Sequence, residues 1–324
     1  MENKISNIDQ QKLNEMLTVS AAPHVKTDKT TQKIMLDVII ALMPALVAAV
    51  YFFGLRALWL VIISVIAAVL AELAFQKVVK KPVTISDLSA VVTGILVAYN
   101  VPVSLPFPMV IIGSVFAIIV VKQLFGGIGY NFMNPALAAR AFIMASWPQA
   151  MGSFPAPFSA DMVASATPLQ GGTMPTLTNA FLGNLGGSIG EVSALAILIG
   201  AAYLVFKGVI NLRIPLAYLL TAAVLFVVTG TAIDQVTIQL LIGGIMLGAF
   251  FMATDYSSTP VSPLGEIVFG VGCGILTVLI RVFGPMPEGV SYSILLMNVA
   301  TPFIEKLTKP KVFGVEVQKN ERNH

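Results

Sequence analysis

The sequence predicts an all-α polytopic membrane protein: about ten transmembrane helices in two inverted five-helix repeats, with a long outer loop between them. Three observations carry that expectation. Of 324 residues 56% are hydrophobic and only 11% charged, where a soluble domain carries about 25% charged residues, and the apolar ones gather in runs close to the ~20 residues that a spanning helix needs. The cations fall on one side of the threading that those runs allow. The two halves also echo each other in sequence.

Residues 1–33 are polar and of mixed charge, without the short apolar core of a cleaved signal peptide, so a mature cytoplasmic N-terminal segment is expected. The first five-span repeat occupies 34–147. Long apolar runs at 34–53, 58–78 and 109–125 read as spans; 88–99 and 135–147, bounded by Asn, Gly and Pro, read as short or partly broken ones. An outer loop follows at 148–191. The second repeat, 192–307, has runs at 192–206, 214–229, 236–252 and 267–283, and a last one at 290–307 that also reads as short or broken. Residues 308–324 form a cytoplasmic tail.

Threading ten spans from an inside N-terminus puts Lys26, Lys29, Lys33, Lys77, Lys80, Lys81, Lys122, Lys207, Arg213, Lys306, Lys309 and Lys311 on the cytoplasmic side or at its membrane edge. That satisfies the positive-inside rule. Arg56 falls in an outer loop, and Arg140 and Arg281 lie within or at the ends of spans. The loop 148–190 has no Lys or Arg but five prolines and seven glycines. It exceeds the about 12–15 residues of an ordinary connector, which marks it as a functional candidate.

The internal repeat rests on two alignments. Gly94-Ile95-Leu96-Val97-Ala98 matches Gly244-Ile245-Met246-Leu247-Gly248, 150 residues on, and the run from Ile118 through Lys122 to Gly126 matches that from Thr277 through Arg281 to Gly284, 159 residues on. Five spans per repeat is an odd number, so the halves would be inverted, and in such folds ligands sit near the midplane where broken helices meet.

Several chemistries are excluded. Cys273 is the only cysteine, so the chain makes no internal disulfide and holds no four-thiolate iron–sulfur cluster alone. The only histidines, His24 and His324, flank the apolar region, which excludes a bis-histidine haem between helices. Nothing points to a nucleic-acid partner.

Gly126, Gly127 and Gly129 allow close backbone approach or positive φ. Beyond them Asn134 as N-cap and Pro135 at the first helical position start a helix inside the apolar region. Such a terminus favours an anionic or carbonyl-rich ligand; a re-entrant turn that serves packing alone suits the spacing equally. Asp37, Glu72, Asp87, Arg140, Asp255 and Arg281 lie in or beside apolar runs, where a charge costs at least ~2.5–3.5 kcal/mol. Asp87 and Asp255 flank corresponding short spans and are the candidates for an ion path; Asp37 and Arg213 can snorkel to the interface. In the outer loop stands Ser165-Ala166-Thr167-Pro168. A threonine hydroxyl can carry flavin mononucleotide (FMN) through a phosphoester, and Pro168 keeps Thr167 out of helix, but the tetrapeptide alone is common in loops.

The ordered set Ala21-Ala22-Pro23-His24, Gly126-Gly127-Ile128-Gly129 with Asn134-Pro135-Ala136, Ser165-Ala166-Thr167, Gly187-Ser188-Ile189-Gly190-Glu191, Phe251-Met252-Ala253-Thr254-Asp255, and Pro287-Glu288-Gly289-Val290 with Leu296-Met297-Asn298 resembles the RnfD/NqrB family over roughly residues 20–307. The short N-terminal segment favours the Rnf-type member. The resemblance implies covalent FMN on Thr167, facing outside, and a second, non-covalent flavin, riboflavin, in the membrane part. Ser165, Ala166, Gly126, Gly127, Asn134 and Arg140 join Thr167 as candidate cofactor-binding residues. It further implies an electron-relaying subunit of an ion-translocating ferredoxin:NAD oxidoreductase in a bacterial inner membrane, moving Na+ or H+. Its implied partners are the other Rnf subunits (A, B, C, E and G), through which ferredoxin and NAD act, membrane lipid, and a flavin transferase that matures it. A cofactor-free transporter or channel with inverted repeats is the alternative that the intramembrane charges fit equally; a pure scaffold for other redox subunits is a third.

Overall fold

The computed structural model of the chain describes residues 30–158, 164–165, 175–284 and 289–309. The expectations for residues 1–29, for Ala166, Thr167 and Pro168, for Glu288 and for the tail from 310 lie outside the described residues.

Every predicted apolar run is helical. The first half contains α1 (Thr31–Phe53), α2 (Leu55–Val78), α3 (Ser89–Tyr99), α4 (Phe107–Gln123) and α5 (Pro135–Ser146). The connection carries α6 (Pro148–Met151), β1 (Phe154–Pro155), β2 (Ala164–Ser165) and α7 (Leu177–Leu182), with β1 and β2 paired antiparallel. The second half contains α8 (Ala194–Phe206), α9 (Arg213–Val228), α10 (Ile233–Leu241), α11 (Ile245–Met252), α12 (Pro263–Phe283) and α13 (Val290–Thr308). Of the described helices, α1, α2 and α12 are long and apolar enough to cross a membrane singly, and α10 with α11 adds a fourth if that bent pair is one span.

The fold corrects one expectation about the breaks. The run 290–307 is not broken: α13 continues for 19 residues through Pro302. The break falls instead inside 236–252, where α10 and α11 meet at 63°. Gly243 and Gly244 take φ of 65° and 77°, values that end a right-handed helix and that glycine adopts without steric cost.

α2 packs on α3 and α4, α9 packs on α12, and α12 packs on α13. The halves are joined where α1 crosses α8 and where α5 crosses α13. Large apolar side chains such as Val47, Leu70, Leu220, Val224 and Phe303 point outward and are exposed, while Glu72, Gln76, Lys122, Arg140 and Glu191 are buried. An apolar exterior around a polar interior suits a lipid solvent.

Candidate functional site

The start of α5 shows how sequence positions the site. Asn134 caps the helix: its Oδ1 accepts from the amides of Ala136 (3.0 Å) and Leu137 (3.3 Å). The Asn134 carbonyl accepts from Ala138, and Pro135 has no N–H to satisfy. The terminus therefore offers a ligand no free backbone amide, contrary to the expectation from sequence. What it offers is the side chain. Asn134 Nδ2 spends one hydrogen on the Met252 carbonyl (3.3 Å), leaving the other for a ligand.

Opposite α5 stands the loop that leaves α11, whose last turn, Gly248–Met252, is π-helical, a form frequent at functional sites. Asp255 lies in this loop, its Oδ2 accepting from the hydroxyls of Ser257 (3.2 Å) and Ser258 (3.1 Å). Burial pushes the Asp255 carboxyl above the usual carboxylate range, and the serine hydrogen bonds and Asn131 oppose that rise. The group thus holds its proton to higher pH than a free carboxylate does.

Between these walls opens a cleft enclosing about 800 Å³, part of it open to solvent. Apolar residues of α1, α3 and α11 line most of it, and Asn131, Asn134, Thr93, Ser89, Lys122 and Asp255 supply its polar groups. Two predicted residues, Asn134 and Asp255, thus meet at one cleft, apolar-walled with a few convergent polar groups, as ligand sites commonly are. Gly126 and Gly127 do not line it. With φ of 126° and 99° they end α4, the amide of Gly127 returning to the Lys122 carbonyl (3.0 Å).

Lys122, expected on the cytoplasmic side or at its membrane edge, is buried in the π-helical last part of α4, 3% exposed, with its Nζ 3.0 Å from both oxygens of Glu72 on α2 and 2.6 Å from Ser89 Oγ. Gln123 donates to the same carboxylate (2.7 Å). Asp87, the other predicted ion-path residue, sits outside the cleft just before α3, accepting from the amide (2.8 Å) and hydroxyl (2.6 Å) of Ser89. Ser89 thereby links Asp87 to the buried pair.

Arg140, six residues beyond Asn134 on α5, does not line the cleft. Its Nη1 donates to Glu191 Oε1 (2.8 Å) and Asn100 Oδ1 (3.0 Å). Glu191 enters the bundle from the end of the long connection and lies against the α10–α11 break, where a Cβ on Gly244 would stand 2.5 Å from its Oε1. Gly244→Ala is expected to destabilise the protein by about 2–3 kcal/mol, combining left-handed strain with displacement of the Glu191 carboxylate. A thermal midpoint within 1 °C of the parent would refute this.

Arg56, expected in an outer loop, is the second residue of α2. Its guanidinium donates to the carbonyls of Val103 (2.8 Å), Ser104 and Leu105 (both 3.3 Å). Of the acceptor motif, Ser165 is described: its backbone lies in β2 opposite Phe154, so the chain enters the motif as an extended strand. Sequence reading missed Glu191 as a buried ion-pair member and Asn100 and Asn298 as anchors. The signal for Glu191 was its place directly before an apolar run, the same feature that singled out Asp87.

These features define a class, a helical membrane-type bundle with interrupted helices, paired charges in its interior and an apolar-walled cleft with polar groups between α5 and the loop after α11. Comparison with known proteins narrows it. Residues 18–314 match the model of the NQR2, RnfD, RnfE family. The chain is 52% identical to the D subunit of the Na+-translocating ferredoxin:NAD+ oxidoreductase complex of Acetobacterium woodii, covering 95% of this chain and 99% of that one. It is 42% identical to the D subunit of the proton-translocating ferredoxin:NAD+ oxidoreductase complex of Clostridium ljungdahlii (92% and 96% covered), and 38% identical to the D subunit of an ion-translocating oxidoreductase complex of Methanosarcina acetivorans (92% and 97%). The chain belongs to the NQR2, RnfD, RnfE family.

Proposed function

We propose that the chain is the D-type membrane subunit of an ion-translocating ferredoxin:NAD+ oxidoreductase, relaying electrons across the membrane between a covalent FMN on Thr167 and a second flavin in the α5–α11 cleft. Family membership at full length carries the assignment to the complex. Other subunits of that complex are then its partners, with ferredoxin and NAD acting through them and a transferase attaching the FMN.

Ten spans in two inverted repeats fit the packing. Under the 150–159-residue offset α1 corresponds to α8 and α5 to α13, and these equivalent helices cross each other, as a two-fold relation requires. Polar contacts repeat as well. Ser64 meets Ser114 between α2 and α4 (2.9 Å), and Tyr218 meets Thr277 between α9 and α12 (2.5 Å). Lys122 and its counterpart Arg281 each reach the corresponding segment of their own half, Lys122 at Ser89 at the start of α3 and Arg281 at the carbonyls of Gln239, Ile242 and Gly243 around the α10–α11 break. With both termini cytoplasmic, the α5–α11 cleft opens inward and the acceptor loop faces out.

The residues lining the cleft suit a flavin. Ser165, which opens the acceptor motif, lies in β2, two residues before Thr167. In the cleft, apolar walls match a flavin ring, and Asn134 with its one uncommitted N–H suits a ring carbonyl or nitrogen. A bound flavin supplies one- and two-electron transfer, for which the protein provides position and electrostatics. Asn131 and Asn134 orient the ligand; α1, α3 and Phe251 exclude water; and Asp255, its carboxyl pushed up by burial, is a proton-exchanging group at the cleft's edge.

Relatives named for Na+ and for proton translocation both match at full length, so the coupling ion is left as Na+ or H+. Asp255→Asn is expected to slow coupled turnover and flatten its pH profile, because the parent carboxyl loses its proton as pH rises and Asn cannot. Asp87→Asn should weaken coupling less, since Asp87 acts through Ser89. Unchanged coupled transport in both variants would remove them from the ion path.

The test of the assignment is in-gel flavin fluorescence of the denatured chain from a flavinylating host, with peptide mass mapping of the Thr167 loop. A fluorescent band with the added mass on that peptide is expected. Absence of both would overturn the redox reading and favour a cofactor-free transporter.

A further inference from the structure

Two walls of the cleft come from segments far apart in sequence, the start of α5 and the loop after α11, and both are anchored by one residue of a third element. Asn298 on α13 is buried at 1% exposure. Its Oδ1 accepts the backbone N–H of Asn134 (3.2 Å), and its Nδ2 donates to the Ser258 carbonyl (3.0 Å). One turn on, Thr301 Oγ1 donates to the same carbonyl (2.9 Å). Ser258 in turn holds Asp255 through its hydroxyl.

We propose that Asn298 is a positioning residue for the second flavin, fixing the Asn134 amide and the Asp255 loop at a set separation across the cleft. This rests on the reading that the cleft holds that flavin. The chemistry needs Asn in particular. One wall presents a donor, the Asn134 N–H, and the other an acceptor, the Ser258 carbonyl, and a carboxamide meets both at once. Asp meets the first but turns a second acceptor toward the Ser258 carbonyl, and Leu meets neither. Because the Asn134 side chain is committed to Ala136, Leu137 and Met252, its last N–H points into the cleft only while the backbone at Asn134 is held. Freeing that backbone releases a hydrogen bond to the ligand and loosens the cleft together, about a tenfold effect on binding for each net hydrogen bond of ordinary strength.

The experiment uses the assembled complex, purified with the parent chain or with Asn298→Leu, Asn298→Asp or Thr301→Val. Non-covalent flavin is released by denaturation and counted per complex, the covalent band is read on a gel, and the midpoint potential of the non-covalent flavin is titrated. Asn298→Leu is expected to retain less than about a tenth of the non-covalent flavin at equal free-flavin concentration while keeping the covalent band. Asn298→Asp should bind flavin at intermediate strength with a displaced potential, because the α5 wall stays held and the Asp255 loop does not. Thr301→Val, which leaves Asn298 in place, should keep flavin content and shift the potential in the direction of Asn298→Asp. Parent-like flavin content in Asn298→Leu overturns the proposal. So does failure of Asn298→Leu to assemble combined with a parent-like potential in both Asn298→Asp and Thr301→Val. A complex whose non-covalent flavin survives removal of the Asn134 and Asn131 side chains would instead overturn the cleft assignment itself.

Discussion

Thr167→Ala is expected to abolish covalent flavin completely while leaving the chain inserted and assembled. The phosphoester needs a hydroxyl oxygen, and alanine has none, so the effect is all-or-none. Insertion is set by the apolar helices, and the substitution falls in the segment between the apolar runs 135–147 and 192–206. Mass mapping of the 148–190 region checks the first part, and recovery of the chain in washed membranes the second. Covalent flavin retained in the variant would move the attachment elsewhere. Electron transfer through the complex should fall with the flavin, while non-covalent flavin in the cleft stays, since the cleft is built from other elements.

Lys122→Met is expected to be the most destabilising single substitution in the α2–α4 interior. It strands the Glu72 carboxylate, 1% exposed, with only the amides of Gln76 (3.3 Å) and Gln123 (2.7 Å) to hold it. Breaking a buried pair by removing one partner costs about 3–5 kcal/mol, whereas replacing both partners by well-packed apolar residues is often neutral. The double variant Lys122→Met with Glu72→Leu should therefore recover most of the loss. Thermal inactivation of the detergent-solubilised complex reads both. A double variant no better than the single would mean that Lys122 is needed for its bonds to Ser89, and through it Asp87, rather than for neutralising Glu72.

The helices were legible because a membrane-type chain writes them in hydropathy: each of the ten apolar runs is a helix or a bent helix pair. The interruption was misplaced for a reason of the same kind. Pro287 and Gly289 just before 290 resembled a break, yet α13 begins after them and tolerates Pro302, whereas Gly243-Gly244 sits inside an apolar run whose mean hydropathy conceals the bend. Asn134 was legible as a cap from its pairing with Pro135, a local relation. That its helix terminus would be filled by its own side chain follows from the same local chemistry, and only the hydrogen-bond geometry shows it.

Charges in apolar runs announced themselves by cost, without naming their partners. Glu72 and Lys122 are 50 residues apart and Arg140 and Glu191 are 51 apart, and no periodicity links such positions. Composition and pattern alone determine a helical, lipid-compatible protein, the order of its helices and the motifs that resemble one family. Tertiary packing determines which charges neutralise each other, where the helix of 236–252 breaks, and that Asn134 and Asp255 line one cleft whose two walls Asn298 joins. Helix formation answers to neighbours within a few residues, whereas pairing a buried charge or shaping a cavity depends on groups that meet only after the chain has folded.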